Sequence, residues 1–101
     1  MSGHRSVAII IRGRVQGVGY RAWTKGVAEA RGLAGTVRNR ADGSVEAHLA
    51  GPDEAVVAMI EACRQGPPGA RVRDLQVEEL TVGDEAARTA GTRGVQILPT
   101  A

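Results

Sequence analysis

The sequence predicts an α+β sandwich, an antiparallel sheet with two helices on one face, in the order β-α-β-β-α-β. A β-branched apolar run, Val7 to Arg12, gives way across a glycine-rich turn to apolar residues at helical spacing. Two more strand-like segments meet at Ala41-Asp42-Gly43, where Asp-Gly suits a turn needing positive φ. A second helical stripe separates that hairpin from a last long strand. Right-handed crossovers bring both helices to the same face of such a sheet.

Each element has local grounds. Met1 to Ser6 reads as a frayed start. Val7 to Arg12 is so nearly continuous in apolar character that it belongs in the middle of the sheet. From Ala22 to Arg31, Trp23, Val27 and Ala30 fall at helical spacing, and Gly32 supplies a stop. Thr36 to Arg40 is the second strand. Ser44 to Ala50 is the third, with Val45, Ala47 and Leu49 on one face and Glu46 and His48 on the solvent side. Gly51-Pro52-Asp53-Glu54 opens a helix, with proline at its first position and acids in its first turn. Val56, Met59, Ile60 and Cys63 form the stripe of that helix, and Gly66-Pro67-Pro68-Gly69 breaks it. Val72 to Leu80 is the fourth strand, with Leu75 and Val77 sharing a face. Asp84 to Gly94 is small and polar and reads as a loop; Val95 to Leu98 is long enough for a short fifth strand. No repeat, low-complexity tract or linker intervenes. The expectation is one domain over 1–101, with its core over about 7–82 and the terminal strand over about 95–98, in the ferredoxin-like split βαβ pattern.

Composition excludes several classes. An apolar content of 43% argues against disorder. With no Phe, one Trp and one Tyr, the core must be filled by Val, Ile, Leu, Ala and Met. A net charge of +2 is too small to imply nucleic acid. Cys63 is the only cysteine, so no internal disulfide forms, and its apolar neighbours mark it as a buried filler. His4, His48 and Cys63 lack metal-ligand spacing, so no metal site is expected. No stretch approaches the roughly 18 apolar residues of a membrane helix, and no signal-peptide core opens the chain. A reducing cytoplasm is the expected compartment, and nothing demands more than a monomer.

The run Gly13-Arg14-Val15-Gln16-Gly17-Val18-Gly19-Tyr20-Arg21 carries most of the chemical information. Glycines between a strand and a helix let the backbone curl and aim its N–H groups at one point. The helix start adds partial positive charge. Arg21 lies in the first helical turn, where a cation is ordinarily unfavourable, and Arg12 and Arg14 flank the loop. Glycines after a strand often only turn the chain, and an arginine at a helix start is often a solvated charge. Three arginines around one glycine loop make sense together if an anion occupies it, and phosphate is the usual guest. The loop lacks the Lys-Ser/Thr ending of a P-loop and does not fit dinucleotide spacing.

The run resembles the signature loop of the acylphosphatase family, Gly-Arg-Val-Gln-Gly-Val-Gly-aromatic-Arg, from Gly13 to Arg21. A second signature, a Gly-x-Val-x-Asn strand followed by an Asp-Gly-x-Val-Glu hairpin, is matched by Gly35, Val37, Asn39, Asp42, Gly43, Val45 and Glu46. The similarity runs from about Val7 to Leu80. It implies a phosphate-binding loop over Gln16, Gly17, Val18, Gly19 and Tyr20. It also implies a catalytic, phosphate-holding Arg21 and an Asn39 that positions the attacking water. The implied reaction is hydrolysis of acyl phosphates to a carboxylate and inorganic phosphate, with no metal or organic cofactor. Thr36 and the aliphatic strand Val95-Gln96-Ile97-Leu98 depart from the aromatic residues common at those places in the family, and Tyr20 replaces the commoner Phe.

The residue types suit that chemistry. A carboxylate leaves without protonation, so positioning and charge stabilisation suffice. The planar fork of Arg21 matches two phosphate oxygens, and loop amides add fixed donors. Asn39 has no useful pKa and would orient water by accepting and donating hydrogen bonds. Arg38 and Arg40, on the opposite strand face, read as solvated, and Trp23 reads as core. Two other classes compete on the residues alone. One is a base-stacking nucleic-acid binder, disfavoured because the predicted strands lack aromatics. The other is a module that binds an anion at the loop without turnover.

Overall fold

The computed structural model describes residues 3–81 and 94–101. The elements are β1 (His4–Arg14), α1 (Tyr20–Ala30), β2 (Ala34–Asn39), β3 (Val45–Pro52), α2 (Asp53–Gln65), β4 (Arg71–Glu79) and β5 (Val95–Ile97). Of the loop expected over 84–94, residues 84–93 lie outside the described residues. The order is the expected βαββαβ with the fifth strand added. Most boundaries differ from the sequence reading by one or two residues, as strand and helix ends do.

The start of the chain is the larger departure. His4, Arg5 and Ser6 are not frayed; they pair with Pro52, Gly51 and Ala50 and lengthen β1 to eleven residues. Polar side chains disguise this stretch, but the ladder is held by backbone groups and continues as far as β3 offers partners.

The sheet order is β4-β1-β3-β2-β5. β1 is antiparallel to both β3 and β4, and β2 is antiparallel to β3. β5 runs parallel to β2, so the sheet is mixed rather than wholly antiparallel. The reason is directional. The three antiparallel pairings make β4 run opposite to β2, so β4 ends at the end of the sheet where β2 begins. A strand that starts from there along the free edge of β2 must run with it.

Alternation sorts each strand into two faces. Val7, Ile9, Ile11, Val37, Val45, Ala47 and Leu49 are fully buried and cluster with Ala28 of α1 and with Val56, Met59 and Cys63 of α2. Both helices therefore cover one face, and the aliphatic core expected from the lack of Phe is the one observed. On the other face His48 is buried rather than exposed, at 9%. It sits between Ala8 and Thr36, its register partners on the flanking strands, and neighbours on a sheet face cover a side chain as effectively as a second layer does. Arg38 and Arg40 share that face and are not free in solvent: Glu46 accepts from Arg38 Nε at 2.9 Å and lies 3.9 Å from Arg40.

Among the described residues, no helix is long and apolar enough to cross a membrane.

Candidate active site

The loop that follows β1 is built around two glycines. Gly17 and Gly19 have φ of 75° and 78°, and a Cβ at either would meet nothing within 4 Å. Glycine is therefore required for the left-handed backbone itself, not for lack of room. Buried Val15 roots the loop in the core. Gly19 then caps α1 with its carbonyl, which accepts from Trp23 N at 3.0 Å.

Among the described residues no side chain caps that helix start, and no acidic residue stands in its first turn. Among the described residues, the backbone N–H groups of Gly17, Val18, Gly19, Tyr20, Arg21 and Ala22 donate to no other residue. A row of unpaired donors at the positive end of a helix is a cradle for an anion.

Tyr20 holds the helix start in place. Its hydroxyl donates to the Cys63 carbonyl at 2.5 Å, tying the first residue of α1 to the end of α2. Its ring packs edge-on against Trp23, with centroids 5.3 Å apart. Burial drives the phenol pKa far up, so it stays neutral. The same burial pushes the Cys63 thiol up to about 11, which leaves it an inert filler, as its sequence neighbours suggested.

Arg21 and Asn39 meet in one cleft of about 230 Å³, lined by Val15, Gly17, Gly19, Tyr20, Arg21, Ala22, Asn39 and Ile97. Asn39 is the last residue of β2 and pairs with buried Val45, so it lies on the helix-covered face, where the loop is. Among the described residues, neither the Arg21 guanidinium nor the Asn39 side-chain amide is bonded to another group. Both are available to a ligand.

The remaining loop residues of the sequence reading are placed differently. Gln16 does not line the cleft. Its side-chain Nε2 donates to the carbonyls of Arg40 and Ser44, each at 2.9 Å, which leaves only its backbone N–H for the cradle. Val18 packs against the core. The hairpin beyond Asn39 is closed by Asp42, whose carboxylate accepts from the Ser44 hydroxyl at 2.6 Å and the Ser44 amide at 2.9 Å. Those bonds, the hydroxyl first, hold the Asp42 pKa below the usual carboxylate range.

Two features were not legible in the sequence. Ile97 of β5 forms one wall of the cleft. Lys25 and Glu29 of α1 clamp β5 beside it: Lys25 Nζ donates to the Val95 carbonyl at 2.6 Å, and Glu29 accepts from the Val95 amide at 2.9 Å. The i,i+4 spacing of Lys25 and Glu29 was a visible signal, but it announces a helix pair, not a distant strand. Among the described residues, no group of three His, Cys, Asp or Glu side chains is placed to hold a metal ion.

Known proteins share both the sequence and the fold. The Acylphosphatase family model matches residues 7–89. An acylphosphatase of Rhodospirillum rubrum is 54% identical over 81 residues, covering 80% of this chain and 89% of that one. An acylphosphatase of Bradyrhizobium diazoefficiens is 50% identical over 92 residues, 91% of this chain and 92% of that one. The crystal structure of acylphosphatase from Bacillus subtilis superposes with a TM-score of 0.81 at 38% identity, covering 92% of this chain and 97% of that one. With the matched residues running from the first buried strand through the glycine loop and the Asn39 hairpin, the chain belongs to the acylphosphatase family.

Proposed function

We propose that acyl phosphate hydrolysis in this protein takes place in the cleft between the glycine loop and Asn39. The observation that carries this reading is the convergence there of the Arg21 guanidinium, the Asn39 amide and a row of backbone donors, none of them paired among the described residues. The phosphoryl group sits on the N–H groups of the loop and of the first turn of α1, with Arg21 forking two of its oxygens. Asn39 accepts a hydrogen bond from a water and holds it in line with the phosphorus–acyl oxygen bond. The water oxygen attacks phosphorus, and the bond to the acyl oxygen breaks. The carboxylate leaves with the bonding pair, and the water proton passes to a phosphate oxygen, giving inorganic phosphate. Charge on the transferring group is met by donors already aimed at it, which is the main demand of phosphoryl transfer. Gln16 serves the same site at one remove, by fixing the loop to the hairpin. No step calls for a metal, and a monomer in a reducing cytoplasm suffices for the whole reaction.

Paired variants test the roles. Arg21→Ala is expected to weaken phosphate binding and turnover together, because it removes the charged partner of the phosphate. Asn39→Ala is expected to lower kcat by about 10²–10³ while leaving phosphate binding nearly unchanged, because its partner is the water. Near wild-type kcat in Asn39→Ala, with circular dichroism showing an intact fold, rules out the water-positioning role. Phosphate binding without turnover in the wild-type protein points instead to an anion-binding module.

A further inference from the structure

The cleft is lined by two chemically different sets of residues. Arg21, Asn39 and the glycine loop supply its polar groups, and Val15, Ala22 and the exposed Ile97 its aliphatic ones. Ile97 is 44% exposed, although most large apolar side chains of the described residues are buried. It is the register partner of Val37 on β2, and Asn39 lies two residues further along the same face. Ile97 therefore stands beside Asn39 on the wall of the same cleft.

This exposed side chain is held on both sides. Before it, the Lys25–Glu29 pair grips the backbone of Val95 through both its carbonyl and its amide. After it, Leu98 N donates to the Val37 carbonyl at 2.9 Å. An isoleucine left partly bare at the mouth of a cleft, on a strand fixed at both ends, is a preformed apolar contact. Charge points the same way. Arg21 is the only cation among the described residues that line the cleft, and the phosphoryl group takes it.

We infer that Ile97, with Ala22 and the edge of Val15, forms the acyl subsite, and that the preferred substrates are acyl phosphates whose acyl group is uncharged and apolar. This rests on the phosphoryl group occupying the loop, as proposed above. An acyl group with its own carboxylate or phosphate would face Ile97 with no second cation among the described residues of the cleft to receive it, whereas an aryl or alkyl group would cover the bare side chain.

The experiment compares kcat/KM for benzoyl, acetyl and succinyl phosphate in the wild-type protein, Ile97→Ala and Ile97→Thr, with inorganic phosphate as inhibitor in each. Ile97→Thr keeps the β-branched shape that suits the strand. The wild-type protein is expected to favour benzoyl over succinyl phosphate. The benzoyl-to-acetyl ratio is expected to fall by about tenfold in Ile97→Ala and in the same direction in Ile97→Thr, in line with the modest selectivity that a few apolar carbons confer. Phosphate should remain a competitive inhibitor in both variants. An unchanged ratio, or a wild-type preference for succinyl phosphate, overturns the acyl subsite while leaving the phosphoryl site intact. Failure of phosphate to compete in the wild-type protein removes both.

Discussion

The side-chain amide of Gln16 donates to the backbone carbonyl of Arg40 at 2.9 Å, fastening the glycine loop to the residue that follows Asn39. Its second hydrogen goes to the Ser44 carbonyl, also at 2.9 Å. These two carbonyls flank the turn, where Arg40 N already donates to Ser44 O at 2.9 Å. One side chain thus sets the distance between the phosphate cradle and the strand that presents Asn39.

Gln16→Ala is expected to lower stability by about 1–3 kcal/mol, since two neutral hydrogen bonds contribute about 0.5–1.5 kcal/mol each. Gln16→Glu has nearly the same shape but turns a carboxylate toward two carbonyls, so it should be less stable than Gln16→Ala. Chemical denaturation measures both. If Gln16→Glu is as stable as Gln16→Ala, the amide hydrogens are not what hold loop and hairpin together.

Phosphate should stabilise the fold through the same loop, because only the folded chain assembles the cradle. A ligand at ten times its Kd stabilises by about 1.4 kcal/mol. For a chain of this size that raises Tm by about 6–11 °C. Chloride at matched ionic strength should do much less, and Arg21→Ala should remove most of the difference. An unchanged phosphate shift in Arg21→Ala would place the anion elsewhere.

Turnover should survive a strong chelator. The proposed chemistry needs only fixed donors and Arg21, and the described residues bring no three ligand-type side chains together. Activity lost to chelation and restored by Mg²⁺ or Zn²⁺ is the result that sinks a metal-free mechanism.

The clamp on β5 should weaken in acid. The Val95 amide, and after it Lys25, hold the Glu29 pKa below its ordinary value of 4.5. A depressed carboxylate contributes stability that is complete above the unfolded-state pKa and lost as pH falls through the folded one. The protection factor of the Val95 amide, with the intrinsic pH dependence of exchange divided out, should therefore be high near neutral pH and fall once the medium is acidic enough to protonate Glu29. Glu29→Gln should exchange faster at neutral pH and lose that acid dependence. Protection at Val95 that does not change with pH in the wild-type protein contradicts the clamp.

The sequence was most informative where function depends on backbone conformation. Gly17 and Gly19 marked a tight strand-to-helix turn because glycine takes positive φ without a Cβ penalty, and Arg21 in an acid-free first turn pointed to an anion site. Asn39 was visible only through its place in a family signature; a lone asparagine at a strand end carries no such message. His48 was misread because strand alternation reports which face a residue is on and not how deeply its neighbours bury it. His4 to Ser6 were misread because the ladder that holds them is made by backbone groups that every sequence possesses.

By itself, then, the sequence determined the element order, the split βαβ pattern, the aliphatic core and the glycine loop with its arginines. These depend on local propensity, period and spacing, which one chain displays in full. Only the tertiary structure decided that β5 runs parallel to β2, that Gln16 braces the hairpin, and that Ile97 borders the cleft with Lys25 and Glu29 gripping the strand behind it. Each of these joins residues about 25 to 70 positions apart through backbone carbonyls, amides or shared surface. Such contacts carry no pattern along the chain, because a carbonyl is the same at every residue and only the fold chooses which one a side chain meets.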